Sequence, residues 1–193
     1  VVTAMTFSGT DFTTSGVPPV LYSTVQNEVT GVEQSASFFL FPPPDHIPSA
    51  DGQTAIFKNE HNIIFTDPNY FALFPHHWIA GTSAVLKDPF QVALSESVAR
   101  KYFPGMALGS IVGRQIIYND TLRLTVGGIV KDWTNNSDLT FSQFASFATM
   151  KATGLKDRFG LESWMSTDVA SQLFIKLAPH TTNAYVLGQL KGL

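Results

Sequence analysis

The 193-residue chain contains no cysteine. That absence excludes disulfides, thiolate metal sites and a cysteine nucleophile. It leaves the redox compartment open, because a cysteine-free protein is safe on either side of a membrane. Charge is scarce as well: Asp, Glu, Lys and Arg make up 14% of the residues, against roughly 25% in an average domain. The 12 Lys and Arg are scattered and the net charge is -3, which argues against a nucleic-acid partner, since phosphate binding needs clustered cations. No apolar run approaches the roughly 20 residues of a membrane span, and the N-terminus carries neither an initiator Met nor a signal-peptide pattern. Such a chain reads as a piece excised from a longer parent. Internal repeats and low-complexity tracts are also missing.

What is present is enough apolar material, 44% of the residues, to bury a core as one domain or as two small lobes. Local signals agree best in residues 92–132. Val92-Ala93-Leu94 reads as a strand, and Ser95 as the N-cap of a helix whose buried face carries Val98, Ala99, Tyr102 and Phe103. Pro104-Gly105 stops that helix. Residues 111–118 and 121–130 read as a hairpin turning at Asn119-Asp120, a pair that tolerates positive φ. Gly127-Gly128, inside the second strand, suggests a bulge or a close backbone approach.

Elsewhere, residues 1–7 read as a strand and 8–16 as a turn region. Pro18-Pro19 opens a helix closed by Thr30-Gly31. Residues 32–41 read as a strand covered on both faces, cut off by Pro42-Pro43-Pro44. Residues 53–58 and 61–66 suggest a second hairpin through Asn59-Glu60, and Asp67-Pro68 starts a short helix ended by Pro75. Residues 77–80 read as a brief extended piece, 81–89 as a loop, 139–150 as extended and 151–167 as a mixed connection. Residues 168–177 read as a strand and 180–193 as an amphipathic helix bearing Tyr185, Val186, Leu187 and Leu190.

A search for chemistry returns bland readings. His46, His61 and His180 lack ligand partners at helical or hairpin spacing, and adjacent His76-His77 diverge, so no catalytic or metal set emerges. Asp67, Asp88, Asp120, Asp132 and Asp138 occupy turn or cap positions. Gly105, Gly109 and Gly113 precede a strand and lack a following Gly-Lys-Ser/Thr, so they form no phosphate cradle. Asn119-Asp120-Thr121 and Asn135-Asn136-Ser137 match the glycosylation triplet. Phe38-Phe39-Leu40-Phe41 with Pro42, Pro43 and Pro44 has two readings: the end of a buried strand, or an apolar lip for a ligand or protein partner. Phenylalanine's tendency to be fully buried favours the core.

The pattern DPNYFALFPHHWIAG, then VALSESVARKYFPG, then GSIVGRQIIYNDTLRLTVGGIVKDWTNNSDLTFSQF resembles the MacB-like periplasmic core domain of ABC transporter permeases, in a Bacteroidetes-like form. GVPPVLYSTVQNEVTGVEQSASFF and SQLFIKLAPHTTNAYVLGQL are similar to the same family's first helix and strand and to its late strand and helix. The resemblance implies an α+β, two-lobed ectodomain: a membrane-proximal lobe of residues 1–44 and 144–193, and an inserted β-rich lobe of residues 45–143. It implies a non-enzymatic domain without cofactors, on the periplasmic face of the inner membrane, coupling ATP hydrolysis by a separate cytoplasmic ATPase to export or to mechanical signalling. Implied partners are the permease's own transmembrane helices, that ATPase, and a second permease copy or a periplasmic adaptor. The family also implies chain beyond Leu193. The alternative expectation is a free-standing periplasmic module that binds an apolar ligand or peptide near Phe38–Phe41. A hydrolase would need a specific Asp or His that the sequence does not single out.

Overall fold

The computed structural model describes residues 3–7, 10–42, 44, 47–48, 56–57, 60–134, 137–166 and 169–193. In chain order its elements are β1 (Thr3–Phe7), β2 (Thr10–Thr14), α1 (Leu21–Glu28), β3 (Val32–Leu40), β4 (Ile47–Pro48), β5 (Ile56–Phe57), β6 (Ile63–Thr66), α2 (Pro68–Leu73) and β7 (Trp78–Ala80). A 3-10 helix (Ser83–Lys87) leads to β8 (Gln91–Ser95), α3 (Glu96–Tyr102), α4 (Leu108–Ile111), β9 (Gln115–Tyr118) and β10 (Leu122–Val130). The chain then forms β11 (Gln143–Ser146), α5 (Phe147–Lys151), α6 (Leu155–Arg158), β12 (Ser171–Leu177) and α7 (Asn183–Leu190).

One mixed sheet runs β12-β3-β6-β11-β8-β10-β7, with β9 paired to β10, and β1–β2 and β4–β5 form separate two-stranded pairs. Its central pairings β6–β11 and β8–β10 are parallel. That explains why Ile63–Thr66 and Val92–Ser95 are buried at every position, as parallel strands covered on both faces are. Side chains alternate between two cores: Phe39, Phe65 and Leu94 enter one, while Phe38, Ile64 and Ala93 enter the other. Val98, Ala99 and Tyr102 of α3 cover the first, and Tyr70 and Phe71 of α2 cover the second. The expected lobe boundary is drawn across this sheet, because β6, from residues 45–143, is hydrogen-bonded between β3 and β11.

The best-signalled stretch forms as read except at the start of its hairpin, where Ile111 closes the short helix α4 and the strand begins only at Gln115. Ser95 caps α3 by accepting from the Val98 amide at 3.5 Å. Asn119 and Asp120 take φ of 50° and 60°, the turn that joins β9 to β10. The register against β8 shifts between Val126 and Gly128, which is the bulge. A Cβ on Gly127 would lie 2.9 Å from the Cβ of Val85, and one on Gly128 2.6 Å from the Trp78 ring, so both glycines admit close neighbours.

Several expectations change. β6 does not pair as a hairpin with the residues before it. It hydrogen-bonds β3 and β11, while β5 pairs with β4, because a buried strand finds apolar neighbours on both edges. The turn residue Asn59 lies outside the described residues. The turn region 8–16 contains β2, paired with β1, and the 81–89 loop holds the 3-10 helix. The run 139–150 is a strand only to Ser146, whose hydroxyl accepts from the Ala148 amide at 3.2 Å and starts α5.

Candidate functional site

Phe38 and Phe39 point to opposite faces of β3 and are 3% and 1% exposed. Phe38 meets Tyr70, Phe141 and Phe174, and Phe39 meets Phe159 at 4.8 Å between centroids. Phe41 is half-buried between Phe65 and Tyr118. Leu40 and Pro42 reach the surface, Pro44 is buried, and Pro43 lies outside the described residues. The two phenylalanines are therefore core. More exposed apolar side chains occur at Met165 and Val169, which the sequence did not single out, and at Tyr185 of the helix expected to be amphipathic.

Among the described residues, no three potential metal ligands converge. His61, His77 and His180 are exposed, and His46 lies outside the described residues, as do Asn135 and Asn136 of one glycosylation triplet. His76 is different: its Nδ1 lies 2.7 Å from the Phe74 carbonyl oxygen, and its ring packs against Phe71, Phe144 and Trp133. Burial among these rings lowers its pKa below the usual 6.5. Asp67 and Asp132 both serve helix starts. Asp67 accepts from the Asn69 amide, and Asp132 accepts from the backbone and hydroxyl of Ser97 in α3.

A buried polar cluster, not read from the sequence, joins β11 to α3 and β9. Gln143 is fully buried, and its Oε1 accepts from the Tyr118 hydroxyl at 2.7 Å and the Tyr102 hydroxyl at 3.2 Å. Glu60 is also buried and pairs with Lys101. Burial, reinforced by Glu60's charge, pushes both tyrosine pKa values far up, so the hydroxyls stay protonated donors. Among the described residues, Gln143 Nε2 and the Tyr70 hydroxyl have no partner. Such a cluster fixes register but presents no nucleophile with an adjacent base.

A second polar group is partly buried. Tyr22 of α1 donates to Asp67 Oδ2 at 2.6 Å and accepts from Asn69 Nδ2 at 2.8 Å. Burial first, and then the Asp67 hydrogen bond, raise the Tyr22 pKa, holding its proton in place. Beside it, between α1 and the start of β3, opens a groove of about 400 Å³ lined by Val25, Gln26, Val29, Gln34, Ser35 and Asn69 among others.

A family model described as "MacB-like periplasmic core domain" matches residues 2–193. The chain belongs to the MacB-like periplasmic core domain family. It is accordingly a periplasmic domain of an ABC transporter permease, as the sequence pattern implied. Solved structures share the mixed α/β fold. A domain assigned to a permease protein from Porphyromonas gingivalis is 20% identical, with a TM-score of 0.72, 95% of this chain covered and 73% of that one. The periplasmic region of MacB from Actinobacillus actinomycetemcomitans is 12% identical, with a TM-score of 0.64, and the match covers 91% and 72% of the two chains. The extracellular domain of the noncanonic ABC-type transporter YknZ from Gram-positive bacteria is 11% identical, with a TM-score of 0.57 and coverage of 91% and 79%. A search of curated proteins finds no match. None of the described helices of this MacB-like domain is long and apolar enough to cross a membrane.

Proposed function

We propose that this domain transmits movement between the membrane part of its permease and the periplasm, driven by ATP that a separate cytoplasmic ATPase hydrolyses. It binds no cofactor itself and serves export or mechanical signalling. The observation that carries the reading is the single mixed sheet, in which the first and last long strands, β3 and β12, are neighbours. Force entering at that edge passes through hydrogen-bonded strands to β10 and β7 without crossing a linker. The Gln189 side chain bonds both the backbone and the hydroxyl of Thr30, tying α7 to the end of α1. In this reading the end of the sheet that carries α1 and α7 is membrane-proximal, and the end that carries β7 faces partners, either a second permease copy or a periplasmic adaptor.

The domain itself has no cysteine, so the test needs only that cysteines elsewhere in the permease and its ATPase are replaced by serine. In the full permease with its ATPase in lipid, single cysteines replace Leu187 on α7 and Ile79 on β7, which are 41% and 37% exposed. Each carries a fluorophore read against quenchers in the lipid headgroups. Coupling predicts that both signals shift between the ATP-bound and ATP-free states, with the Leu187 site nearer the lipid. Constant signals through turnover would sink the reading, as would a parent gene product without flanking apolar spans of roughly 20 residues.

A further inference from the structure

We propose that the groove between α1 and β3 binds a short, uncharged peptide segment in extended form. This goes beyond the coupling role, which needs no ligand in the domain.

The groove's volume of about 400 Å³ falls at the lower end of the range for small-ligand sites. Its polar side chains are mostly carboxamides. Gln26 and Gln34 each carry a donor and an acceptor, and Asn69 adds an acceptor while its Nδ2 is held by Tyr22 and Asp67, a set that meets both the N–H and the C=O groups of a peptide backbone. Val25 and Val29 add an aliphatic floor and wall, suited to a small apolar side chain. Among the described residues that line the groove none is aromatic, so they provide no stacking surface of the kind a sugar or a base uses. Formal charge is muted, because Glu33 at the rim is paired with Lys176 at 2.6 Å. A stretch of β3 four residues long, from Val32 to Ser35, forms one side; at a strand's rise this spans about 10 Å, room for roughly three extended residues.

One wall is held in advance of binding. Asp67 carries only acceptors, so the contact between its Oδ2 and Asn69 Nδ2 fixes which end of the Asn69 amide faces the Tyr22–Asp67 pair. Asn69 Oδ1 is left as the acceptor available to a ligand. Gln34 has no side-chain partner among the described residues, and it is a half-buried residue that lines the groove. A half-buried carboxamide without a partner gains more from a ligand than a fully hydrated one does.

The experiment is an NMR titration of the isotope-labelled chain with acetyl-Ala-Val-Ala-N-methylamide. Two parallel arms use acetyl-Asp-Val-Asp-N-methylamide and the disaccharide trehalose. The proposal expects saturable shifts of the Val25, Gln26, Val29, Gln34, Ser35 and Asn69 amides with the neutral peptide, at an affinity of about 1 mM. The acidic peptide binds more weakly and trehalose gives no saturable shift. Gln34→Leu, which breaks no hydrogen bond of the fold, weakens the neutral peptide by about tenfold while the rest of the spectrum is unchanged. The proposal is overturned by the absence of saturable shifts with the neutral peptide, by an equal response of the Gln34→Leu chain, or by preference for trehalose or the acidic peptide. None of these outcomes bears on transmission of movement, which the labelled-permease experiment tests separately.

Discussion

Tyr70 is fully buried among Phe38, Phe71, Phe74 and Phe144, yet its hydroxyl finds no partner among the described residues. An orphaned buried hydroxyl costs about 1–3 kcal/mol. Tyr70→Phe removes that cost without a cavity, so the folded state should gain about 1 kcal/mol, read as a higher urea midpoint at unchanged slope. An unchanged midpoint would mean that the hydroxyl is satisfied by water. His76 makes a second prediction. Its folded pKa is lowered, so below about pH 6.5 the unfolded chain binds the proton first. Stability is fully present above that value and falls as the pH drops toward the lower folded pKa. His76→Phe should flatten the dependence in urea melts recorded at stepwise lower pH. At this scale caps were legible, since Ser95 and Asp67 act on residues two or three positions away. Gln143 was not, because its partners Tyr102 and Tyr118 come from distant elements and no local spacing marks them.

Elements were legible where apolar period, cap and stop coincided, as in α3 and the β9–β10 hairpin. They were misread where one residue type serves two states. Phe147 and Met150 suit a strand as well as a helix, and only the Ser146 hydroxyl decides between them. That hydroxyl makes two bonds, accepting from the Ala148 amide and donating to the Leu86 carbonyl at 2.8 Å. Ser146→Ala therefore removes a cap and orphans a buried carbonyl. We expect a loss of about 2–3 kcal/mol, more than the usual 1 kcal/mol for a cap. The urea midpoint measures it, and Ser95→Ala provides the comparison. A loss no larger than that of Ser95→Ala would show that the Leu86 carbonyl finds another donor.

For the molecule as a whole, the family and the mixed fold were legible because the chain carries its most specific pattern in one continuous block, residues 67–146. Strand order was not. The partners of β6 are set by which buried faces meet, and neither β3 nor β11 adjoins it in sequence. The groove between α1 and β3 also escaped the sequence reading: its carboxamides are scattered over positions 26, 34 and 69 and belong to no motif.

The neighbouring of β3 and β12 has a further consequence, for the order in which the protein is made. Ser37 of β3 donates to the Gln172 carbonyl, 135 positions later in the chain, and such distant contacts close slowly. Until Ser171–Leu177 has been synthesised and has crossed into the folding compartment, β3 offers one open edge, a template for unwanted pairing. A chain stopped before Ser171 should thus show no cooperative unfolding transition and should aggregate, whereas adding β12 and α7 restores both folding and solubility. The longer β3 waits for β12, the lower the yield of folded domain should be, and a holding chaperone that covers β3 should raise it.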